Sequence, residues 1–361
     1  MRWATVMPIL AVCALALAWG RVPTGVFVFV LAILLAGAVL AAVHHAETVA
    51  HRIGEPFGAL TLALAVTVIE VSLIISVMIS SGEEAATLAR DTAFAAVMIC
   101  TTGMVGLSLL FGTIRGRTAV FNAEGAGGML ATVASLVTLT LVLPSFTTTQ
   151  PGPRFTPSQL AFAAVASLVL YSLFVLTQTL RHRDYFLPVT REGEILDDRE
   201  GDHADPPSGR QALISLGLLL LALVAVVGLA KTESPVIETA VRKAGLPHGV
   251  VGVVIALLVL LPETLAAVRA ARRQRLQTSL NLALGSATAS IGLTIPAIAI
   301  ASIWVEGPLI LGLGSTQLVL LVLAVGVGVS TLTVVPGRAT LLQAGLHLAI
   351  FAAFLFLTFF P

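Results

Sequence analysis

Eleven apolar runs, each close to the length of a membrane-crossing helix, divide almost the whole chain between them. They fall at about 5–20, 22–43, 57–81, 91–112, 126–147, 158–180, 211–230, 249–268, 278–303, 308–334 and 339–360, against the roughly 20 apolar residues that cross a hydrocarbon core about 30 Å thick. Lipid offers the backbone no hydrogen-bond partners, so runs of this length satisfy their own N–H and C=O groups as helices. The expected fold class is all-α and polytopic, with about 11 transmembrane helices. With 57% of residues hydrophobic and only 11% charged, no soluble globular class fits.

Charge distribution sets the expected topology. If all eleven runs span, fourteen of the 20 Lys and Arg residues fall on one side and six on the other. By the positive-inside rule the richer side is cytoplasmic, which puts the N-terminus inside and the C-terminus outside. The basic cluster RAARRQR, Arg269 to Arg275, then reads as a cytoplasmic turn that fixes topology and not as a nucleic-acid site. The first run follows Arg2 and ends ALALAWG, the outline of a cleaved signal peptide, but a second apolar stretch follows Arg21 almost at once and favours a retained helix. Cys13 and Cys100 lie inside apolar runs, where they read as small packing residues.

The longest polar interval, Arg181 to Arg210, separates the sixth run from the seventh. Setting the first run aside leaves five runs before it and five after. In each half, one run carries a lone glutamate and is followed by a charged turn and then a run rich in Ser, Thr and Gly. An odd number of spans per half makes the second half enter from the opposite side, so the expected organisation is an inverted repeat. The segments are an N-terminal helix over 1–21, a first five-helix repeat over 22–180, an acidic cytoplasmic loop over 181–210, and a second repeat over 211–361. The loop carries Asp184, Glu192, Glu194, Asp197, Asp198, Glu200, Asp202 and Asp205. It reads as a solvated linker, without the ligand spacing of an EF-hand.

Two of the nineteen acidic residues fit neither a loop nor a span end on this division: Glu70, in ALTLALAVTVIEVSLIISVMIS, and Glu263, in GVVGVVIALLVLLPETLAAV. An ionisable side chain at the middle of a spanning helix costs at least ~2.5–3.5 kcal/mol, so such groups face polar cavities and mark ion or proton paths. Desolvation disfavours a charged carboxylate, whereas a bound cation favours it, so the same oxygens hold either protons or a metal ion. Oxygen ligands suit hard ions such as Ca²⁺, Na⁺ and K⁺.

Further oxygen donors lie close in sequence. Pro262 has no N–H to donate to the carbonyl of Leu258, leaving a ligand oxygen near Glu263. Thr67 stands one turn before Glu70, and Thr264 adjoins Glu263. Ser286, Ser290 and Thr294 form a stripe at a spacing of four; Cys100, Thr101 and Thr102 occupy the comparable run of the first half. Ordinary helix packing explains these hydroxyls equally well. His44, His45 and His51 read as an interfacial helix, not a transition-metal site, and His347 as a hydrogen-bonded packing residue.

At these residues the chain resembles the bacterial cation/proton exchangers of the calcium/cation antiporter superfamily, and within it the ChaA-type calcium (sodium, potassium)/proton antiporters. The resemblance is carried by GEPFGALTLALAVTVIE, with Gly54, Glu55, Gly58 and Glu70; by Glu263 with LNLALGSATASIGLTIP, ending in Pro296; and by FNAEG at Phe121, GRATLLQAGLHL around Arg338 and the acidic loop. The wider family has GNA before both glutamates; this chain has VTVIE and LLPE, without the asparagines, and the ChaA-type branch shows a similar loss. The resemblance implies a secondary antiporter, not an enzyme, with no cofactor. Its implied partners are inorganic cations, protons and lipid, with homo-oligomerisation compatible and nucleic acid excluded. The rival class is a cation channel without obligatory proton coupling. No GxxxxGK[ST], HExxH or nucleophile elbow is present, which argues against ATP-driven transport and intramembrane catalysis.

Overall fold

A computed structural model describes residues 2–54, 57–81, 86–116, 118–189, 207–304, 308–334 and 337–361. The apolar runs are helical, as lipid requires of backbone that carries no external partners. In chain order the helices are α1 (Arg2–Ala18), α2 (Val26–Ile53), α3 (Phe57–Ser81), α4 (Leu88–Met98), α5 (Val105–Gly116), α6 (Ala123–Val137), α7 (Pro157–Leu176), α8 (Gly209–Lys243), α9 (Gly249–Arg272), α10 (Leu276–Ala301), α11 (Ser315–Val329) and α12 (Leu341–Phe359). A π-helical stretch, Ile99–Met104, runs α4 into α5, so among the described residues the α segments make eleven rods. Nine are long and apolar enough to cross a membrane, and Trp3–Ala18 and Ala63–Ser76 are shorter apolar helices. The chain is an all-α, multi-pass membrane protein.

Serine and threonine are tolerated in these rods because their hydroxyls find partners within one turn. Thr101 donates to Val97 O at 2.7 Å, Thr140 to Leu136 O at 2.7 Å, Ser167 to Ala163 O at 2.7 Å and Thr288 to Leu284 O at 2.8 Å. Helix starts are fixed by side-chain caps. Thr156 with Gln159 and Ser208 with Gln211 form capping boxes at α7 and α8, and Asn122 Oδ1 accepts from Glu124 N and Gly125 N at α6. The FNAEG motif is thus in part a helix start.

Several boundaries differ from the sequence reading. The histidines His44, His45 and His51 belong to no separate interfacial helix, because α2 continues unbroken to Ile53. The imidazole of His45 is buried and meets Ala4 O at 3.0 Å, which supplies the partner it needs away from water. Helix α10, by contrast, continues through Pro296 to Ala301, close to the expected end of its run near 303. Helix α11 begins only at Ser315, because residues 308–314 lie outside any helix, with Gly312 N bonded to Pro153 O and Leu313 N to Leu141 O. Most consequentially, α8 runs past the expected end near 230 to Lys243, carrying Glu233 and Pro235 inside it.

Contacts divide the chain into two compact units. The first comprises Met1–Thr92, Ala204–Val259 and Ile300–Leu309. In it α2 packs against α1, α3 and α8. Glycines permit the close approaches: Met7 of α1 covers Gly37 of α2, and Leu15 covers Gly228 of α8. Ser76 Oγ donates to Val227 O at 3.5 Å, and Gly252 of α9 lies directly on the backbone of Asp91 and Thr92.

The second unit comprises Ala93–His203, Leu260–Ala299 and Ile310–Pro361. Here α12 lies on α5 and the π stretch, with Phe351 over Gly103 and Leu348 and His347 over Gly106. Tyr171 of α7 covers Gly292 of α10, and Leu130 of α6 covers Gly328 of α11. The loops before α6 and α12 join as a short antiparallel ladder, β1 (Ala119–Val120) with β2 (Arg338–Ala339), pairing Ala119 with Ala339 and Val120 with Arg338.

A methyl group on Gly252 would stand 2.9 Å from two backbone atoms, whereas one on Gly285 would meet nothing within 4 Å. Gly252→Ala is therefore expected to destabilise the protein by about 1–3 kcal/mol. Gly285→Ala is expected to be neutral or stabilising by up to ~1 kcal/mol. Thermal midpoints of the two variants in detergent check the pair.

Candidate functional site

Helix α3 reaches Glu70 through a run of aliphatic residues, and that run puts the carboxylate inside the first unit with 2% of its surface exposed. Thr67 is buried beside it, and its hydroxyl donates to Ala63 O at 2.8 Å. Such a bond uses the hydroxyl's proton and leaves oxygen lone pairs available, so it orients Thr67 as an acceptor without removing it as a ligand.

Glu263 is half-buried on α9 in the second unit, with Oε2 sealed from solvent. Thr264 beside it donates to Leu260 O at 2.7 Å. Pro262 lies inside α9 and cannot donate to the carbonyl of Leu258, which belongs to the first unit.

The second unit also holds the remaining candidate donors. Cys100 and Thr101 are buried in the π stretch, whose wider turn is a frequent mark of functional segments. The carbonyl of Thr101 meets His347 Nδ1 at 2.9 Å, so His347, wholly buried, is the hydrogen-bonded packing residue expected from the sequence. On α10, Ser290 and Thr294 are buried and Ser286 is half-buried along one stripe. The structure thus groups Glu70, Thr67 and Leu258 in one unit, and Glu263, Thr264, Cys100, Thr101, Ser286 and Ser290 in the other.

Side-chain hydrogen bonds hold α10 within the second unit. Ser279 Oγ donates to Ala267 O of α9 at 2.7 Å and lies 2.6 Å from Ser108 Oγ of α5. Gln277 accepts from Asn122 N at 2.7 Å and donates to Asn281 Oδ1 at 2.9 Å, and Asn281 donates to Phe186 O at 2.7 Å. The segment around Glu263 is therefore anchored one turn away, at Ala267. Among the described residues no three His, Cys, Asp or Glu side chains converge. A cation held by Glu70 or Glu263 would complete its shell with hydroxyls, carbonyls or water.

One buried carboxylate escaped the sequence reading, which took Glu233 for a loop residue. The run KTESP ends an apolar stretch with two charges and a proline, the usual outline of a helix end. The apolar residues Val236, Ile237 and Val241 beyond it were the available signal that the helix continues. The glutamate Glu55 of the first motif and the loop acids Glu192, Glu194, Asp197, Asp198, Glu200, Asp202 and Asp205 lie outside the described residues; Asp184 sits in a short turn, Arg183–Phe186.

Comparison with known proteins gives one consistent picture. The family described as "Sodium/calcium exchanger protein" matches residues 23–180 and 214–360. A Sinorhizobium fredii protein, y4hA, named for ionic transport, is 47% identical over 332 residues, covering 91% of this chain and 87% of its own. The sodium-potassium/proton antiporter ChaA of Escherichia coli is 33% identical over 361 residues, covering 98% of this chain and 95% of its own. Among solved structures, native YfkE superposes with a TM-score of 0.69 at 18% identity over 99% of both chains. The H⁺/Ca²⁺ exchanger CAX gives 0.68 at 15% identity over 98% of this chain and 86% of its own; at these identities the likeness is one of fold.

Removing the Ser279 hydroxyl strips both the Ala267 carbonyl and Ser108 of a buried partner. Ser279→Ala is expected to destabilise the protein by about 1–3 kcal/mol. The Ser108→Ala/Ser279→Ala double variant should lose less than the sum of the single variants, measured as detergent unfolding midpoints.

Proposed function

The chain belongs to the sodium/calcium exchanger protein family, and we propose that it is a cation/proton antiporter of the bacterial inner membrane in which Glu70 and Glu263 together hold either a metal cation or protons. The observation that carries this reading is a glutamate with 2% of its surface exposed inside an apolar helix, Glu70, together with its counterpart Glu263 on α9. Lipid makes such a group costly, and a transport role gives the reason to keep it. Support comes also from the relatives: ChaA, covered almost end to end, is named for sodium-potassium/proton antiport, and CAX, which shares the fold, for H⁺/Ca²⁺ exchange.

The mechanism is competition for the same oxygens. When a cation enters, it stabilises the two ionised carboxylates, so the protons they held leave to the compartment that the site then faces. When the site turns to the other side, protons neutralise the carboxylates and the cation departs. Two carboxyl groups balance one Ca²⁺ against two protons, or one Na⁺ or K⁺ against one. Thr67, Thr264 and the Leu258 carbonyl add neutral oxygens that favour the cation without raising the charge to be buried. Alternating access, with the N-terminus cytoplasmic and the C-terminus outside, then couples the two gradients.

In everted vesicles carrying an imposed pH gradient, CaCl₂, NaCl or KCl added separately should collapse the gradient saturably. Glu70→Gln or Glu263→Gln should reduce this to background with normal membrane insertion, and near-normal exchange in either variant overturns the assignment. Because protons compete for the cation's ligands, lowering the pH should weaken the apparent cation affinity by about tenfold per pH unit for each competing proton.

A further inference from the structure

Glu233 stands in the last third of α8, two residues before Pro235, with 2% of its surface exposed. Its neighbour Thr232 donates its hydroxyl to Gly228 O at 2.8 Å, but Oε1 of Glu233 is buried and meets no hydrogen-bond partner among the described residues. The side chain lines a cavity of about 200 Å³ inside the first unit. The other walls are Leu35 of α2, Leu73 of α3, Val254 and Leu258 of α9, and Ser234 beside it, with further aliphatic residues.

The lining decides what the carboxyl can hold. One carboxylate and one hydroxyl, even with the Leu258 carbonyl added, are far short of the six to eight oxygens that Ca²⁺ takes. An ionised carboxylate facing aliphatic walls with an oxygen left without a partner is strongly disfavoured. The neutral acid fits, and a proton is the smallest ligand that makes it neutral. The space has room for a water held between the Glu233 carboxyl and the Ser234 hydroxyl, the polar side chains of its lining, and such a water can pass a proton on.

Position ties this acid to the exchange chemistry. Leu73, in the cavity wall, follows Glu70 by three residues and so shares its face of α3. Ionisable residues elsewhere in the sequences of the surrounding helices are Arg2 and Cys13 in α1; His44, His45, Glu47, His51 and Arg52 in α2; Glu70 in α3; Arg210, Lys231, Glu238, Arg242 and Lys243 in α8; and Glu263, Arg269 and Arg272 in α9. The cavity lining given by the structure contains none of them.

We propose that Glu233 is a third membrane-embedded proton-binding carboxyl, which takes up and delivers protons for the exchange site but does not hold the metal cation. This rests on the reading of Glu70 and Glu263 as the shared site.

The test uses the full-length protein and the apolar reagent dicyclohexylcarbodiimide, which modifies protonated carboxyl groups in apolar surroundings. The acid's proton moves to a carbodiimide nitrogen and its oxygen adds to the central carbon. The resulting O-acylisourea rearranges to an N-acylurea, with nothing leaving, so the adduct carries the whole reagent mass. Peptide mapping by mass spectrometry, which separates Glu233 from Glu70 and Glu263, should find the adduct on Glu233, and labelling should fall as pH rises. A water-soluble carbodiimide should label Glu233 poorly. Absence of the adduct, or labelling no faster than that of exposed Glu124, overturns the proposal. In vesicles, Glu233→Gln should displace the pH profile of exchange and leave the apparent KM for Ca²⁺, Na⁺ or K⁺ unchanged at fixed pH. An unchanged profile defeats the relay role, and a raised KM would make Glu233 a cation ligand instead. Labelling needs no substituted protein and no transport, so it stands even if Glu233→Gln fails to insert. Exchange surviving in Glu70→Gln and Glu263→Gln would remove the shared site while leaving the labelling result intact.

Discussion

A carboxylate carried into lipid has to be neutralised, and most of what distinguishes this protein follows from that requirement. The neutralising partner can be a proton, a metal cation or a fixed positive group. Around Glu70 the sequence supplies only aliphatic residues and hydroxyls over several turns, and the other charges of α3 and its flanks lie towards its ends. On the proposed reading, a carboxyl group in such a setting can trade one neutralising ion for another. The same logic underlies the proposal for Glu233, whose cavity walls are aliphatic apart from Ser234.

The rods that carry these groups are held by close packing, since lipid tails are as apolar as the side chains and contribute little hydrophobic drive between helices. Small residues let backbones approach: Gly252 on Asp91–Thr92, Gly292 under Tyr171, Gly106 under Leu348. Many of the buried hydroxyls are tied locally or across one interface, as with Ser279 between Ser108 and Ala267. A protein held by such contacts can move whole helices against one another without breaking many hydrogen bonds. Irregular points, the π stretch Ile99–Met104 and the prolines Pro235, Pro262 and Pro296, lie within helices where bending is easiest.

Fold class was legible because the governing signal is one-dimensional. A run of apolar residues long enough to cross a bilayer has one structural solution, and the eleven runs became the eleven rods. Glu70 stood out by the same means, as a charge in the interior of a run. The reading failed at ends of runs. Helix α8 continues through KTESP because Pro235 disrupts only one intrahelical hydrogen bond and clash site, which neighbouring helices can absorb. Hydropathy weighs Lys231, Glu233 and Ser234 as polar and ends the span there, although Glu233 faces inward. The histidines of α2 misled in the same way: His44 and His45 look interfacial by composition, yet His45 is buried against Ala4 O.

What the sequence by itself determined is the order of the apolar helices among the described residues and the place of Glu70 and Glu263 within two of them, because membrane insertion selects on composition along a single segment. What only the tertiary structure decided is which polar groups are shut away from water. The partner of Thr101 O is His347, far along the chain, and the cavity beside Glu233 draws its walls from four helices. Burial of this kind is a property of several segments packed together, and no single run of residues encodes it.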